Sequence, residues 1–327
     1  MKINYSIIIP VKEINDYIKE SIPIILNMDY ENYEIIILPN EKPSNIPDYL
    51  KDKKIRIIPS GKVSPAIKRD MGAKEAKGKY LAFIDDDAYP EKNWLKTADS
   101  IFKEEKVEII GGPAITPKNN TLFQKASGLF FETLFGGGGM DYRYKPVKKS
   151  FCVDDYPTVN LITSKKVFFD VNGFDNEFWP GEDTKFCLDL TKKGYKIIYS
   201  PKLIVYHHRR KSIISHLKQV GNYGQHRGYF AKKFPETSLR LTYFIPSLFL
   251  LGNLALLILS FFSPLILKLY LILLAIYFVL VTIDVFVRTK NLIIGLLTIF
   301  TVFLTHLFYG LMFIKGILSK NFRNKLR

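Results

Sequence analysis

Cysteine is nearly missing from this chain: Cys152 and Cys187 are the only two in 327 residues. Neither stands in a metal-ligand or redox spacing. A disulfide framework is thereby excluded, and a reducing compartment is expected. A secretory leader is not expected either. The apolar run after Met1-Lys2-Ile3-Asn4-Tyr5 is too short for one and stops at Pro10. The first half is therefore expected to stay on the cytoplasmic side. Compact Lys/Arg blocks interleaved with aromatics are absent too, which argues against nucleic acid as a partner. Yet the net charge is +16 and the isoelectric point about 9.5. Such a balance calls for an anionic partner, either lipid headgroups or a polyphosphate substrate. Acids are the minority charge, 31 against 47 bases, so their clusters stand out.

The first half alternates strand and helix patterns. Ser6-Ile7-Ile8-Ile9-Pro10 reads as a fully buried strand. Ile14, Ile18, Ile22 and Ile25 fall near a 3.6-residue period and predict a helix. Residues 34–38 and 55–58 read as the next two strands. Ser64 caps a helix with Pro65 at its first position and Gly78 past its end. On that helix Ile67 and Met71 are expected to face the core, with Lys68, Arg69 and Asp70 pointing elsewhere. Residues 80–84 give a fourth strand, 94–102 an amphipathic helix, and 107–110 a fifth strand before Gly111-Gly112-Pro113. The alternation predicts an α/β fold: an open, mostly parallel sheet flanked by helices, with ligands at the carboxyl ends of the strands. Beyond it, the four glycines at 136–139 read as a mobile loop, placed before Asp154-Asp155 as a lid. Residues 182–193 predict a helix with Phe186 and Leu190 on one face and Gly194 after its end. Residues 196–200 and 203–206 are short strands.

The second half turns apolar. Residues 211–240 mix basic, aromatic and apolar positions, as segments at a membrane interface do. Three apolar stretches follow, at 241–262, 265–287 and 292–318, each reaching the roughly 20 residues that cross a bilayer. The expected organisation is a soluble domain over 1–210, interfacial helices over 211–240 and a helical transmembrane region with a basic tail over 241–327. Three crossings from a cytoplasmic domain would put Lys320, Arg323, Lys325 and Arg327 outside, against the preference of basic flanks for the cytoplasm. Arg288 and Lys290 between the last two stretches suit the cytoplasm, so the third stretch is expected not to cross fully. Asp284 can reach the interface beside Arg288.

Two acidic motifs carry the chemistry. Asp85-Asp86-Asp87 follows the buried run Tyr80-Leu81-Ala82-Phe83-Ile84. Hard carboxylate oxygens suit magnesium or manganese, which bind through one or two carboxylates plus substrate phosphates. A metal so held neutralises a departing diphosphate. The competing reading is a solvated turn before Pro90. Gly181-Glu182-Asp183-Thr184 opens a helix, and a carboxylate there can take a proton from a hydroxyl nucleophile. The same first-turn position lowers a carboxylate pKa through the helix dipole. Trp179, just before, can stack on an acceptor sugar or simply pack.

With these residues in place, the chain resembles a family 2 glycosyltransferase of the nucleotide-sugar-binding GT-A fold. The resemblance rests on Ser6-Ile7-Ile8-Ile9-Pro10, Lys68-Arg69-Asp70-Met71-Gly72-Ala73 and Phe83-Ile84-Asp85-Asp86-Asp87. It continues through Asn160 in Thr158-Val159-Asn160-Leu161, Gly173-Phe174-Asp175, Gly181-Glu182-Asp183 and His207, covering about residues 3–210. It implies donor contacts from Pro10, Lys12, Glu13, Asn40, Lys68, Arg69, Asp70, Asp85, Asp86 and Asn160. It implies a divalent cation on Asp85, Asp87 and His207, with the adjoining His208 as rival ligand. Asp183, with Glu182 beside it, is implied as catalytic base for displacement with inversion. The paired acids that usually follow the second strand are replaced by Leu38-Pro39-Asn40-Glu41, which leaves the nucleotide base open. Gly224-Gln225-His226-Arg227-Gly228 loosely resembles a motif of membrane-bound processive members, so His226 and Arg227 are candidates for the leaving diphosphate or for anionic lipid.

The reading is a multi-pass enzyme of the cell membrane that takes a sugar from a nucleotide-sugar donor to a hydroxyl on a lipid-linked or cell-surface glycan. Two rivals stand beside it: transfer to a polyprenyl phosphate, which needs no base, and a silent membrane scaffold.

Overall fold

The computed structural model describes residues 3–321. Arg323, Lys325 and Arg327 of the basic tail lie outside the described residues. Eleven strands are described: β1 (Tyr5–Pro10), β2 (Tyr33–Leu38), β3 (Ile55–Ile57), β4 (Tyr80–Phe83), β5 (Ala88–Pro90), β6 (Ile109–Gly111), β7 (Ala114–Ile115), β8 (Phe151–Val153), β9 (Leu161–Ser164), β10 (Ile197–Tyr199) and β11 (Val205–His207). The helices are α1 (Asp16–Leu26), α2 (Pro65–Glu75), α3 (Trp94–Glu105), α4 (Leu122–Glu132), α5 (Leu134–Gly137), α6 (Lys165–Asp170), α7 (Glu182–Lys192), α8 (Ile213–Lys233), α9 (Pro235–Ser238), α10 (Leu241–Ser260), α11 (Pro264–Phe286) and α12 (Leu292–Leu318).

The chain forms two compact units. The first holds residues up to 115 together with 145–208. Its main sheet runs β3-β2-β1-β4-β9-β6-β10-β8. β1 lies parallel between β2 and β4, and both β1 and β2 are buried along their whole length, which is why they read as unbroken apolar runs. Four of the seven pairings are parallel, so the expectation of a mostly parallel sheet holds. The differences are β9, which inserts antiparallel between β4 and β6, and β8, which pairs antiparallel with β10 at the sheet edge. A second sheet, β5-β11-β7, uses strands of two or three residues.

Helix α1 begins at the cap Asn15 and buries Ile18, Ile22 and Ile25. Helix α2 departs from its expected orientation. Its buried face carries Ala66, Lys68, Arg69, Gly72 and Ala73, while Ile67 and Met71 are half-buried. The small residues explain this. A Cβ on Gly72 would stand 2.7 Å from Ile8 Cγ2, so the helix rides too close to β1 for a larger side chain there. Lys68 and Arg69 can turn inward because the strand ends and acidic motifs supply their partners.

Among the described residues the second unit holds 116–144 and 209–321. Thus 116–144, placed with the first 210 residues on sequence, packs with the late helices. Thr298 Oγ1 donates to the Ala126 carbonyl at 3.3 Å, and Ser127 Oγ lies 2.8 Å from His216 Nδ1. The glycine run also differs from expectation. Gly136 and Gly137 complete α5, where an added Cβ would stand 2.1 Å and 2.2 Å from the carbonyl oxygens of Phe130 and Phe131. Only Gly138 and Gly139 take positive φ, 58° and 84°. The Phe135 N–H donates to Asp284 Oδ2 at 3.1 Å, and its carbonyl lies 2.7 Å from His306 Nε2. Asp284 also pairs with Arg288. Glycine here serves close backbone packing, and polar side chains of α11 and α12 pin the segment.

Candidate active site

The acids after β4 form one pole of the site. The strand β5 follows them at once and pairs antiparallel with β11, His207 opposite Ala88. That pairing brings His207 beside Asp87, with Nε2 3.0 Å from Oδ1. Asp85, Asp87 and His207 each offer a ligand atom within 4.8 Å of the others. Magnesium-type bonds of about 2.0–2.1 Å put neighbouring ligands of an octahedron roughly 3 Å apart, so these donors fit a hard divalent cation. His208 turns away: its Nε2 lies 2.9 Å from Glu20 Oε2, and its ring packs on Tyr17 and Tyr89. Asp86 accepts from Asn15 Nδ2 at 2.7 Å, and burial followed by the charge of Asp87 pushes its pKa up.

Arg69 connects this pole to the second motif. Its Nη2 donates to Asp85 Oδ1 at 2.7 Å and its Nη1 to Glu182 Oε1 at 2.9 Å. The guanidinium lies 5.9 Å from the Phe174 ring centroid, and the residue is only 4% exposed. Glu182 is buried, and its other oxygen accepts from the Gly181 N–H at 3.0 Å. Both residues are therefore engaged with each other, an arrangement suited to bracing rather than to contacting a ligand. Asp183, next along in the first turn of α7, is half-buried and accepts from the Thr184 N–H at 2.8 Å.

Lys68 sits at the carboxyl ends of β1 and β2. Its ammonium donates to the carbonyls of Val11 at 2.5 Å and Leu38 at 3.1 Å, and to Asn40 Oδ1 at 2.6 Å. Burial lowers its pKa to about 8. Three bonds use all three of its protons, so Lys68 has none left for a ligand and instead orients Asn40. Asn160 is fully buried. Its amide donates to Leu203 O at 2.7 Å and Pro113 O at 3.3 Å and accepts from Trp94 Nε1 at 3.0 Å, which closes it to a ligand. Pro10 is buried at the end of β1, Lys12 and Glu13 are exposed, and Trp179 is half-buried. His226 and Arg227 belong to the second unit, where the Arg227 guanidinium lies 4.8 Å from the Tyr243 ring centroid. Asn15 was missed on sequence. It caps α1 through Oδ1 and holds Asp86 through Nδ2; only its cap position ahead of the isoleucine helix signalled it.

Asp70 turns to the Phe174 N–H, which donates to its Oδ1 at 3.0 Å. Burial raises its pKa from 3.8 to about 6. A raised carboxyl stabilises the fold fully below about pH 4, and that contribution is lost as pH rises through 6. Asn keeps the acceptor without the charge. Asp70→Asn is expected to melt higher than wild type above pH 6–7 and to show no gain near pH 4, with an upper bound of about 3 kcal/mol. Parallel melting curves across that range test this; a pH-independent difference would contradict it.

Residues 6–160 match the family model described as glycosyl transferase family 2. The chain carries a family 2 glycosyltransferase domain. This glycosyltransferase is 28% identical over 242 residues to the dolichyl N-acetyl-alpha-D-glucosaminyl phosphate 3-beta-D-2,3-diacetamido-2,3-dideoxy-beta-D-glucuronosyltransferase of Methanococcus voltae, covering 70% of this chain and 74% of that one. It is 24% identical over 178 residues to the pre-mycofactocin glycosyltransferase of Mycobacterium tuberculosis, covering 54% of this chain but only 37% of that relative. Among solved structures it resembles the mannosyltransferase PcManGT from Pyrobaculum calidifontis, determined with GDP-Man and Mn2+. The TM-score is 0.67 at 14% identity, over 98% of this chain and 89% of that one. At that identity the likeness shows the fold, which is the GT-A fold of the glycosyltransferase.

Proposed function

We propose that this glycosyltransferase moves a sugar from a nucleotide sugar to a hydroxyl of a lipid-linked glycan, with inversion, at the cytoplasmic face of the membrane. The observation that carries the reading is the convergence of Asp85, Asp87 and His207, tied by Arg69 to Glu182, which opens the helix carrying Asp183. Asp87, His207 and Asp85 would hold magnesium or manganese. A cation bound there neutralises the diphosphate that leaves. Asp183 takes the proton of the acceptor hydroxyl. The freed oxygen bonds to the anomeric carbon from the side opposite the leaving group. The bond to the diphosphate oxygen breaks, and its electron pair departs with the nucleotide. Asn40, aimed by Lys68 at the end of β2, lies two strands from Asp85, about 10 Å at the usual strand spacing. That suits one nucleoside laid across the strand ends.

The acceptor follows from the need for a base. A polyprenyl phosphate is already ionised, whereas a sugar hydroxyl must lose a proton. The Methanococcus relative is named for a dolichyl-linked sugar phosphate, and an acceptor of that class supports both the hydroxyl and the membrane setting. Three helices long and apolar enough to cross a bilayer support the same setting.

Nucleotide release from a panel of nucleotide sugars, measured on membranes with manganese or magnesium, tests the reading. One donor is expected to give metal-dependent release. Asp87→Asn is expected to cut it by about 10²–10³-fold, the equivalent of a few kcal/mol of charge stabilisation. Release that ignores both metal and variant would sink the proposal.

A further inference from the structure

Helices α10 and α11 form an antiparallel hairpin. They are joined by a three-residue turn at 261–263, where Phe261 and Phe262 are each 81% exposed. Phe249 packs on Tyr277 with centroids 4.6 Å apart, and the Tyr270 hydroxyl donates to Asn253 Oδ1 at 3.4 Å, nearer the tip. The start of α10 and the end of α11 therefore lie together at the hairpin's open end. Helix α12 touches both of these ends. Its Gly295 faces the Phe286 ring, at the end of α11. Its Phe313 packs on Phe244 with centroids 4.8 Å apart, in the first turn of α10. Its Gly310 abuts the Pro246 carbonyl, and Ser247 Oγ donates to the Gly310 carbonyl at 3.1 Å. Midway, Phe303 packs on Phe278 and His306 lies by Tyr277.

These contacts fix a direction. Gly295 and Phe313 are about 27 Å apart along α12 at 1.5 Å per residue. Measured from the paired Phe249 and Tyr277, Phe244 and Phe286 differ in depth along the hairpin by only about 6 Å. A helix parallel to the hairpin could not meet both ends. Helix α12 must lie across the hairpin, its two ends toward the open end and its middle against Phe278 and Tyr277.

Burial agrees. Helices α10 and α11 show apolar side chains on nearly every side. Helix α12 is one-sided: Ile293, Leu296, Phe300, Leu311 and Leu318 form its exposed stripe, whereas Thr298, Thr301, Val302, Thr305 and Gly310 are buried. The covering partner is α8, which runs alongside in the same sense. Gly221 faces Phe308, Gly224 faces Tyr309, and Gly228 faces the Phe313 carbonyl. Its Lys232 donates to the Ser319 carbonyl at 2.6 Å. The outward side of α8 carries Lys218, Gln219, Asn222 and Tyr223, which belong near water.

We infer that α12 does not cross the bilayer but lies in its plane, with the Ile293–Leu318 stripe immersed in the acyl chains of the near leaflet. Only the α10–α11 hairpin enters deeply. The end of α12 and Lys320 then stay on the same side as the catalytic unit, and the basic flank obeys its usual preference. This goes beyond the proposed function, whose membrane setting it shares; its test reads no turnover.

Cys152 is exposed and Cys187 is fully buried, so the wild-type chain reports the side of the catalytic unit. In sealed vesicles an impermeant maleimide reagent is applied from one side to wild type and to Cys152→Ser/Ser319→Cys. Both sites are expected to label from one side and to be protected from the other. Labelling from opposite sides would overturn the inference. As a second measurement, nitroxides are placed through Phe300→Cys and Leu311→Cys in Cys152→Ser, and bilayer depth is read from oxygen against nickel-chelate access. Similar depths with oxygen preferred support the in-plane helix. A difference near 16 Å, the length between the sites along a crossing helix, would overturn it. Exclusion of oxygen with spin–spin broadening would also overturn it, assigning the stripe to a second copy.

Discussion

Arg69→Leu is expected to lower stability by about 3–5 kcal/mol, the usual result of removing one partner from a buried ion pair. Two carboxylates lose their counter-charge at once, since Arg69 bonds both Asp85 and Glu182. Glu182 is buried, so it cannot turn to water for relief. Arg69→Lys keeps the charge but not the planar fork, and one ammonium cannot easily serve two carboxylates from that position. It should fall between wild type and Leu. The decisive comparison is Arg69→Leu/Glu182→Gln. If stranded charge is the cause, the double variant regains a good part of the lost stability while activity stays low. Thermal unfolding in detergent reads the first effect and nucleotide release the second. A double variant no more stable than Arg69→Leu would show that lost packing, not charge, sets the cost.

Asp183→Asn is expected to reduce kcat by about 10²–10⁴-fold, the range for losing a positioned general base. The amide oxygen can still accept from the Thr184 N–H, so α7 should start as before. Metal-dependent nucleotide affinity should remain within about twofold, because Asp85, Asp87 and His207 are untouched. That split between binding and turnover separates a base from a structural acid. Retained turnover would mean that the acceptor is already ionised, and transfer to a polyprenyl phosphate would replace transfer to a hydroxyl.

How much of this could be read from the residues depends on what each feature rests on. β1, β2 and β4 were legible because burial on both faces leaves an unbroken apolar run. The Ser64–Pro65 start of α2 was legible because capping is local. β5, β7 and β8 were not: two or three residues at a sheet edge carry no period, and their pairing is set by distant partners. The missing β5 mattered, because its pairing with β11 is what selects His207 over His208. The inward turn of Lys68 and Arg69 was also hidden. Long charged residues read as solvated unless their partners are known, and those partners lie at the ends of β1, β2 and β4 and on α7. The four glycines misled through composition: flexibility in an unfolded chain and close backbone approach in a packed one require the same residue. The grouping of 116–144 with the late helices rests on contacts between distant segments, the apolar cluster of Leu129, Phe130 and Phe131 with Val220, Val281 and Val302 as well as the polar pair Ser127 and His216, and none of these pairings is visible to periodicity.

The glycine face of α8 has a consequence for how the protein is made. Its cover, α12, is complete only at Leu318, whereas α8 ends at Lys233. At about 5–20 residues per second, the ribosome needs roughly 4–17 s to supply it. Through that interval Gly221, Gly224 and Gly228 leave bare backbone where Phe308, Tyr309 and Phe313 will sit. The α10–α11 hairpin is made in between, so on the proposed topology it would meet the bilayer before its neighbour α12 is complete. Lipid insertion would then come ahead of tertiary closure in biosynthesis, and a nascent chain stopped near residue 290 would display an open seam along α8 for a chaperone to hold.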